Sequence, residues 1–315
     1  MPVSVRERDQ STQNREKLRP AVHFGNGGRA VVRTESRIHD FVTSITMDGS
    51  AWDQTMKRFV SVLLTLYLFT AIHVLAQSSA SELTIAAAAD LSSALKDIGD
   101  TFEKNIGIRV RLSFGASGAL TQQIENGAPF DLFFSADMGY PQQLIKDNQA
   151  DSGSLYEYAV GKLVLWVPAD SPLDVEHKGM QVLLDPSVKK ISIANPQHAP
   201  YGRAAVEALK HAELYDRLTD RLVMGENISQ AAQFVESGNT QAGFVALAHA
   251  AAPSMQGKGK YWIVPADYYA PLAQGAVIVS RSSHKKEAEQ FLQYFKTKPV
   301  SDTLQKYGFT LPPAK

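Results

Sequence analysis

The chain has 315 residues, of which 44% are hydrophobic and 20% are charged, so it is long enough for a substantial core and too apolar for bulk disorder. Its 32 basic and 32 acidic side chains balance, which gives no sign of the basic field typical of nucleic-acid binding proteins. It contains no cysteine, and this excludes disulfides, thiolate metal sites and cysteine nucleophiles.

The first clear signal in chain order is a leader-like segment that begins at Met56. Two basic residues follow, then an apolar run from Phe59 to Ile72, and small residues precede position 77. The run is too short to span a bilayer comfortably. We therefore predict that residues 56–76 are a signal peptide that is cleaved after Ala76, with a membrane anchor as the alternative.

The segment before this leader, residues 1–55, has no sustained period of 2 or 3.6 and is rich in Arg, Gln, Asn and Gly. We interpret it as a spurious or disordered extension, with Met56 as the true start. Removal of residues 1–76 takes away ten basic and seven acidic residues, which leaves a net charge near −3. With no cysteine for lipid attachment, the exported protein is expected to be free in a periplasm.

From Glu82 onward, short apolar runs alternate with helical periods. The pattern predicts strands at "LTIAAAA" (83–89), "IRVRLSF" (108–114) and "FDLFFSAD" (130–137), and helices over 90–107 and 117–127. This βαβαβ alternation predicts a mostly parallel sheet with helices on both faces.

A second series of strands and helices begins at "KLVLWVP" (162–168). It continues through a strand at 189–196, a helix over 201–218, and further elements up to a helix over 284–297. We predict two α/β lobes, with residues 82–160 plus 271–315 forming lobe I and residues 161–270 forming lobe II. Two lobes linked by crossing strands, with ligand between them, are typical of a hinged binding protein.

Candidate ligand loops lie where strands give way to helices. Small or hydroxyl residues occupy the helix starts at Ala89-Asp90, "FGASGAL" (114–120) and "NPQHAPYG" (195–202), and a fourth helix begins at "ENISQAA" (226–232). Helix N-termini expose unpaired N–H groups and the positive end of the helix dipole. Several such ends at one cleft can bind an anion without any lysine or arginine, although many such junctions are merely capped helices.

The motifs "AAAADL", "SFGASGALTQQIENGAPFDLFFSAD", "ANPQHAPYG", "AGFVALA" and "YGFTLPP" carry a family resemblance. Through them, residues 82–313 resemble the molybdate-binding components of bacterial ABC importers. The resemblance implies a type II periplasmic binding protein fold, with the ligand cleft between its lobes. It also implies high-affinity capture of molybdate or tungstate in the periplasm, delivery to a membrane permease, no cofactor, no catalysis and a monomeric state.

The same resemblance implies a set of oxyanion ligands built from neutral donors. Ala89 and Asp90 fill the first loop, Ser117 offers its hydroxyl and N–H, Tyr201 its phenol, and Ile228 its backbone N–H. Each has a plainer interpretation as well. Ser117 can be an ordinary helix cap, Tyr201 a half-buried surface aromatic residue, and Ile228 a core residue.

Two further positions, Ala246 and Arg203, bear on the family pattern. Another branch of the family uses a tyrosine where this chain has Ala246, and Tyr201 is expected to replace it. Arg203 lies one turn into a helix, and we predict a solvated face for it because the family pocket uses no formal cation.

Asp90 departs from the ligand pattern because it carries a negative charge. At 4 Å and an effective dielectric constant near 20, a dianion facing a carboxylate loses roughly 8 kcal/mol, or about six decades of affinity. We therefore predict that the Asp90 side chain caps the following helix while backbone N–H groups face the cleft. Ser92 or Ser93 then supplies the missing hydroxyl.

Three alternative functions remain open from the residues. A secreted hydrolase would need Ser117 and His198 as a catalytic pair, but no nucleophile elbow or metalloprotease motif is present. The adjacent Tyr268 and Tyr269 could bind ferric ion, although the resemblance places them near a lobe crossover. Sulfate is the other tetrahedral dianion, and it differs from molybdate mainly in size.

Overall fold

The computed structural model describes Met56, Phe59, residues 61–63 and residues 81–312. The chain divides into two units, Met1–Gln77 and Ser78–Lys315, and the fold described below is that of the second unit. The predictions for residues 1–55 and for the cleavage site fall outside the described residues. Within the described part of the chain, no helix is long and apolar enough to cross a membrane.

Residues 81–312 alternate strands and helices. The strands are β1 (Glu82–Ala88), β2 (Arg109–Gly115), β3 (Leu132–Ser135), β4 (Tyr156–Gly161), β5 (Leu163–Pro168), β6 (Ile191–Ala194), β7 (Leu222–Gly225), β8 (Ala242–Ala246), β9 (Gly259–Ile263) and β10 (Leu272–Ile278). The α-helices are α1 (Ser92–Ile106), α2 (Ser117–Glu125), α3 (Gly139–Lys146), α4 (Val175–Lys178), α5 (Pro200–His211), α6 (Tyr215–Leu218), α7 (Ile228–Glu236), α8 (Leu247–Ala250), α9 (Lys285–Phe295) and α10 (Lys298–Lys306).

The strands form two five-stranded sheets. The first has the order β2-β1-β3-β10-β4 and the second the order β7-β6-β8-β5-β9. We use lobe I for the first sheet with its helices and lobe II for the second. The division of the chain at residues 160/161 and 270/271 stays a prediction.

Each sheet is mixed, with more antiparallel pairing than the sequence pattern predicts. In lobe I, β1 pairs parallel with β2 and β3, whereas β10 runs antiparallel to β3 and β4. In lobe II, β6 pairs parallel with β7 and β8, whereas β5 runs antiparallel to β8 and β9. The antiparallel pairs arise because the chain crosses between lobes at β4–β5 and β9–β10, so a strand enters each sheet from the other lobe.

Local sequence accounts for the helices that flank the site. In α1, the apolar positions Leu95, Ile98 and Phe102 are buried on one face, and the helix ends at Gly107 with a left-handed φ of 80°.

The helix predicted over 201–218 is instead two helices, α5 and α6. The chain turns between them, where Glu213 adopts a φ of 57°.

An aromatic cluster fixes helix α9, near the end of the chain, on the lobe I sheet. Phe295 packs on Phe134 of β3 with ring centroids 4.7 Å apart, and Phe291 meets Phe102 of α1 edge-to-face at 4.8 Å. All four rings are buried. The cluster therefore ties the end of the chain to its first strands.

The two sheets are joined by short connections. The strand β4 ends at Gly161 and β5 begins at Leu163, so a single residue separates the lobes there. The returning connection spans residues 264–271, and within it the Tyr269 hydroxyl accepts a hydrogen bond from the Leu163 N–H at 3.0 Å. The two connections are thus bonded to each other.

Candidate oxyanion site

The four predicted strand-to-helix junctions meet at one small cavity between the lobes. Its lining residues are mostly small or apolar: Ala88, Ala89, Asp90, Gly115, Ala116, Ser117, Ala136, Ala199, Pro200, Tyr201, Asn227 and Ile228. The cavity volume is about 10 Å³, close to the room that a single water needs. In this closed arrangement the site suits a ligand of only a few atoms.

All five residues predicted as ligands line this cavity. Other residues considered from the sequence do not: Ser92 and Ser93 begin α1 outside the lining, and Ala246 is buried at the end of β8. Sequence reasoning missed Asn227, whose side chain caps α7 by accepting from the Gln230 N–H at 3.1 Å. Asparagine just before an apolar helical run is a recognisable cap signal.

Asp90 lies in a tight 3₁₀ turn, Ala89–Leu91, between β1 and α1. The predicted helix cap is wrong, because no side-chain cap bond is made at the start of this turn or of α1. Instead, Asp90 Oδ2 accepts a hydrogen bond from Gln274 Nε2 of β10 at 2.6 Å. Its Oδ1 is buried and has no hydrogen-bond partner within the described residues.

Gln274 organises a buried polar network behind the cavity. Its Oε1 accepts from the Tyr158 hydroxyl at 2.8 Å, which directs the amide nitrogen toward Asp90 and toward the Tyr201 hydroxyl, 3.3 Å away. Gln274 and Tyr158 are 0% and 1% exposed. The network therefore depends on internal partners rather than on water.

Burial changes the protonation behaviour of this network. Desolvation raises the pKa of Asp90 to about 6, and the hydrogen bond from Gln274 opposes this shift together with the nearby Tyr201 hydroxyl and backbone N–H groups. Burial and the nearby Asp90 charge raise the pKa of Tyr201 well above its usual value, so this phenol stays protonated and can donate. Asp90 is thus the titratable group of the cavity near neutral pH.

Ser117 begins α2 with its hydroxyl free to donate. Its Oγ accepts a hydrogen bond from the Ala136 N–H at 3.0 Å, and the residue is 1% exposed. Because the oxygen already accepts from a backbone N–H, its hydrogen remains available for a group in the cavity. Ser117 does not cap the helix, whose N-cap is Ala116.

Tyr201 and Ile228 each lie in the first turn of a helix. Tyr201 follows Pro200 at the start of α5 and is 2% exposed, so it is not a surface aromatic residue. Its hydroxyl lies over Gly161, where an added Cβ would come within 2.1 Å of the phenol oxygen. Ile228 is the first residue of α7, and its buried apolar side chain leaves only the backbone N–H as a donor.

Direct contacts join the lobes around the cavity. The Gly118 N–H of lobe I donates to the His198 carbonyl of lobe II at 2.8 Å. Arg203 of α5 forms an ion pair with Asp137 and lies over the ring of Tyr140, 5.5 Å from its centroid. Arg203 lies outside the cavity lining and its side chain is 39% exposed, which agrees with the predicted solvated face, but its charge is paired with a carboxylate of the other lobe.

The structure brings Ser229 and His249 together. This serine–histidine pair differs from Ser117 and His198, the pair that a hydrolase would need according to the sequence. Ser229 Oγ lies 2.8 Å from His249 Nε2 and also donates to the Ala89 carbonyl at 3.2 Å. Burial lowers the pKa of His249 to about 4, and its Nδ1 has no partner within the described residues. Without an orienting carboxylate, this pair lacks the third member of a catalytic triad and serves to join lobe II to the first turn.

The adjacent residues Tyr268 and Tyr269 contact different partners. Tyr269 accepts the Leu163 N–H, whereas Tyr268 stacks on His211 with ring centroids 4.1 Å apart. Across residues 81–312 and the few described before them, no group of three His, Asp or Glu side chains is placed to hold a metal ion. Both tyrosines thus brace the returning connection between the lobes.

Comparison with known proteins adds the family. The sequence profile described as "Bacterial extracellular solute-binding protein" matches residues 83–310. The chain belongs to this family. The two-lobe α/β fold expected from the sequence is therefore confirmed.

Relatives of this solute-binding protein include two named molybdate-binding protein ModA. The Azotobacter vinelandii protein is 40% identical over 234 residues, which cover 74% of this chain and 92% of the relative. The Rhodobacter capsulatus protein is 38% identical over 234 residues, covering 74% and 89%. The structure of the Azotobacter vinelandii periplasmic molybdate-binding protein matches with a TM-score of 0.70 and 38% identity, covering 73% of this chain and 99% of that one. These relatives confirm the resemblance drawn from the sequence motifs.

Proposed function

We propose that this protein captures molybdate or tungstate as the intact oxyanion and delivers it to the membrane permease of an ABC importer. The observation that carries the proposal is the composition of the cavity. It presents hydroxyl and backbone donors from four junctions, and no lysine or arginine is among its lining residues. Neutral donors at helix N-termini suit a fully desolvated oxyanion.

Each proposed ligand has a defined part in this scheme. Ser117 and Tyr201 donate through their hydroxyls, while the turn at Ala89 and Asp90 and the start of α7 at Ile228 donate through backbone N–H groups. The positive ends of α2, α5 and α7 balance part of the ligand charge. The names of the ModA relatives support molybdate as the ligand.

Calorimetric titration of the mature protein with molybdate, tungstate, sulfate and phosphate tests the proposal. We expect tight one-to-one binding of molybdate and tungstate, and far weaker binding of sulfate and phosphate. Tight binding of sulfate with no response to molybdate would overturn the proposal. A charge-transfer colour with ferric ion would revive the iron alternative.

We also propose that the protein is exported by its signal peptide and acts as a soluble periplasmic monomer. The basis is the leader pattern at residues 56–76 and the family's extracellular description. Intact mass measurement of the exported product is expected to give a chain that starts at Gln77. A product that retains residues from the segment 1–55 contradicts this start. Size-exclusion chromatography with light scattering measures the oligomeric state, and we expect the mass of a monomer.

A further inference from the structure

Asp90 is a carboxylate in the wall of a cavity proposed to hold a dianion. It lines the cavity together with Ser117 and Tyr201, and it is 2% exposed. An ionised carboxylate beside a dianion would weaken binding by roughly six orders of magnitude. A tight oxyanion site therefore requires either that Asp90 turns away or that its charge is removed.

The hydrogen-bond pattern prevents Asp90 from turning away. One carboxylate oxygen, Oδ2, is held at 2.6 Å by the Gln274 amide, and Gln274 is itself held by the Tyr158 hydroxyl at 2.8 Å. All three residues are buried in the core of lobe I. The cap role that would have directed the carboxylate along α1 is not present.

The groups around Asp90 offer no positive charge to neutralise it. Tyr201 faces it from α5 and Tyr158 from β4, and burial keeps both phenols protonated. On the side of α7 and α8, His249 lies beyond Ser229, and its pKa of about 4 keeps it neutral. Asp137 is a further nearby anion, and it is ion-paired with Arg203 of α5, so this pair adds no net positive charge beside Asp90.

The second carboxylate oxygen is the one that lacks a partner. Oδ1 of Asp90 is shielded from solvent and has no hydrogen-bond partner within residues 81–312 or the described residues before them. A proton on Oδ1 would turn this acceptor into a donor, and the cavity that Asp90 lines would supply its acceptor.

We propose that Asp90 contacts the oxyanion as a neutral carboxylic acid, so that each captured dianion brings one proton from solvent into the closed cleft. This proposal rests on the proposed function. The proton binds Oδ1, which then donates to an oxygen of the ligand, while Oδ2 continues to accept from Gln274. Asp90 and the ligand together then carry two negative charges instead of three.

The proposal predicts a specific dependence of affinity on pH. In the empty cleft burial already raises the pKa of Asp90 to about 6, and the bound dianion raises it further. Above about pH 6, the fraction of empty protein in which Asp90 is protonated falls about tenfold per pH unit. Between about pH 6.5 and about pH 8.5, the dissociation constant for molybdate should therefore rise roughly 80-fold.

Titration calorimetry with molybdate in pairs of buffers that differ in ionisation enthalpy measures the proton directly. At about pH 8 we expect uptake of close to one proton per molybdate bound by the wild-type protein. The variant Asp90→Asn should take up no proton, should show nearly flat affinity over the same pH range, and should bind more tightly than the wild type at the alkaline end. A matched control is Asp131→Asn, a buried aspartate of the same lobe outside the cavity, which should keep the wild-type pH dependence.

The outcomes separate this proposal from the proposed function. Tight molybdate binding with no proton uptake and no pH dependence in the wild type overturns the role of Asp90 and leaves the function intact. A wild-type pH slope that persists in Asp90→Asn also overturns it, because the proton then binds elsewhere. If the wild-type protein binds no oxyanion at any pH, the proposed function itself has failed. The wild-type measurement stands even if Asp90→Asn does not fold.

Discussion

The ion pair between Arg203 and Asp137 is expected to hold the lobes closed around the ligand. Its side chains are 39% and 21% exposed, so screening limits the pair to about 1 kcal/mol. The stacking of Arg203 on Tyr140 adds about 0.5 kcal/mol. Because these contacts join lobe I to lobe II, they stabilise the closed form, and Arg203→Met should raise the dissociation constant about tenfold.

The loss should appear in the release rate. Stopped-flow tryptophan fluorescence with molybdate is expected to show about tenfold faster release in Arg203→Met and little change in association. Asp137→Asn should have a similar effect, and the double variant should lose little more than either single one. The matched control is Lys258→Met, which removes an ion pair with Glu236 that lies within lobe II and should leave the release rate unchanged.

Two results would refute this reasoning. One is a release rate in Arg203→Met within about twofold of the wild type, since the ion pair would then contribute nothing to closure. The other is full additivity of the Arg203 and Asp137 substitutions, which would mean that the two side chains act independently.

Three further substitutions probe the site and the connections between the lobes. Ser117→Ala removes the hydroxyl donor and should weaken molybdate binding about tenfold or more in calorimetry; because it also leaves the buried Ala136 N–H without its acceptor, it should lower the free energy of unfolding by about 1–2 kcal/mol. Gly161→Ala places a methyl group against the Tyr201 hydroxyl and should weaken binding, whereas Gly153→Ala meets open space and should not; equal affinities would contradict the packing argument. Tyr269→Phe leaves a buried backbone N–H of β5 without its acceptor and should lower the free energy of unfolding by about 1–2 kcal/mol in urea denaturation, and an unchanged midpoint would show that the bond is dispensable.

The helix starts that line the cavity could be predicted because their signals are local. Proline before Tyr201, and small residues before Ser117, identify helix N-termini from a few neighbouring residues. The family resemblance then implied that these ends share one ligand. Their shared cavity follows from the parallel pairing of β1 with β2 and of β6 with β7, which brings the carboxyl ends of those strands to one edge of each sheet.

The environment of Asp90 could not be predicted in the same way. Its partner Gln274 lies 184 positions further along the chain, in the middle of an apolar strand. The cap prediction rested on the charge of Asp90 and on the preference of aspartate for helix starts, and neither reveals a partner on a distant strand. The same limit applies to Arg203, whose partner Asp137 belongs to the other lobe, and to the antiparallel placement of β10.

The single residue between β4 and β5 determines which part of the site is mechanically fixed. Points close to a rotation axis move least, and Gly161, at the end of β4, lies directly beneath the Tyr201 hydroxyl. We therefore expect the Tyr201 hydroxyl to move little relative to Gln274 and Asp90 when the lobes separate. The ion pair of Arg203, the Gly118–His198 bond and the Ser229–Ala89 bond join the lobes without involving this link, so we expect opening to break them. We therefore expect an arriving anion to meet Asp90, and to draw a proton onto it, before the cleft closes.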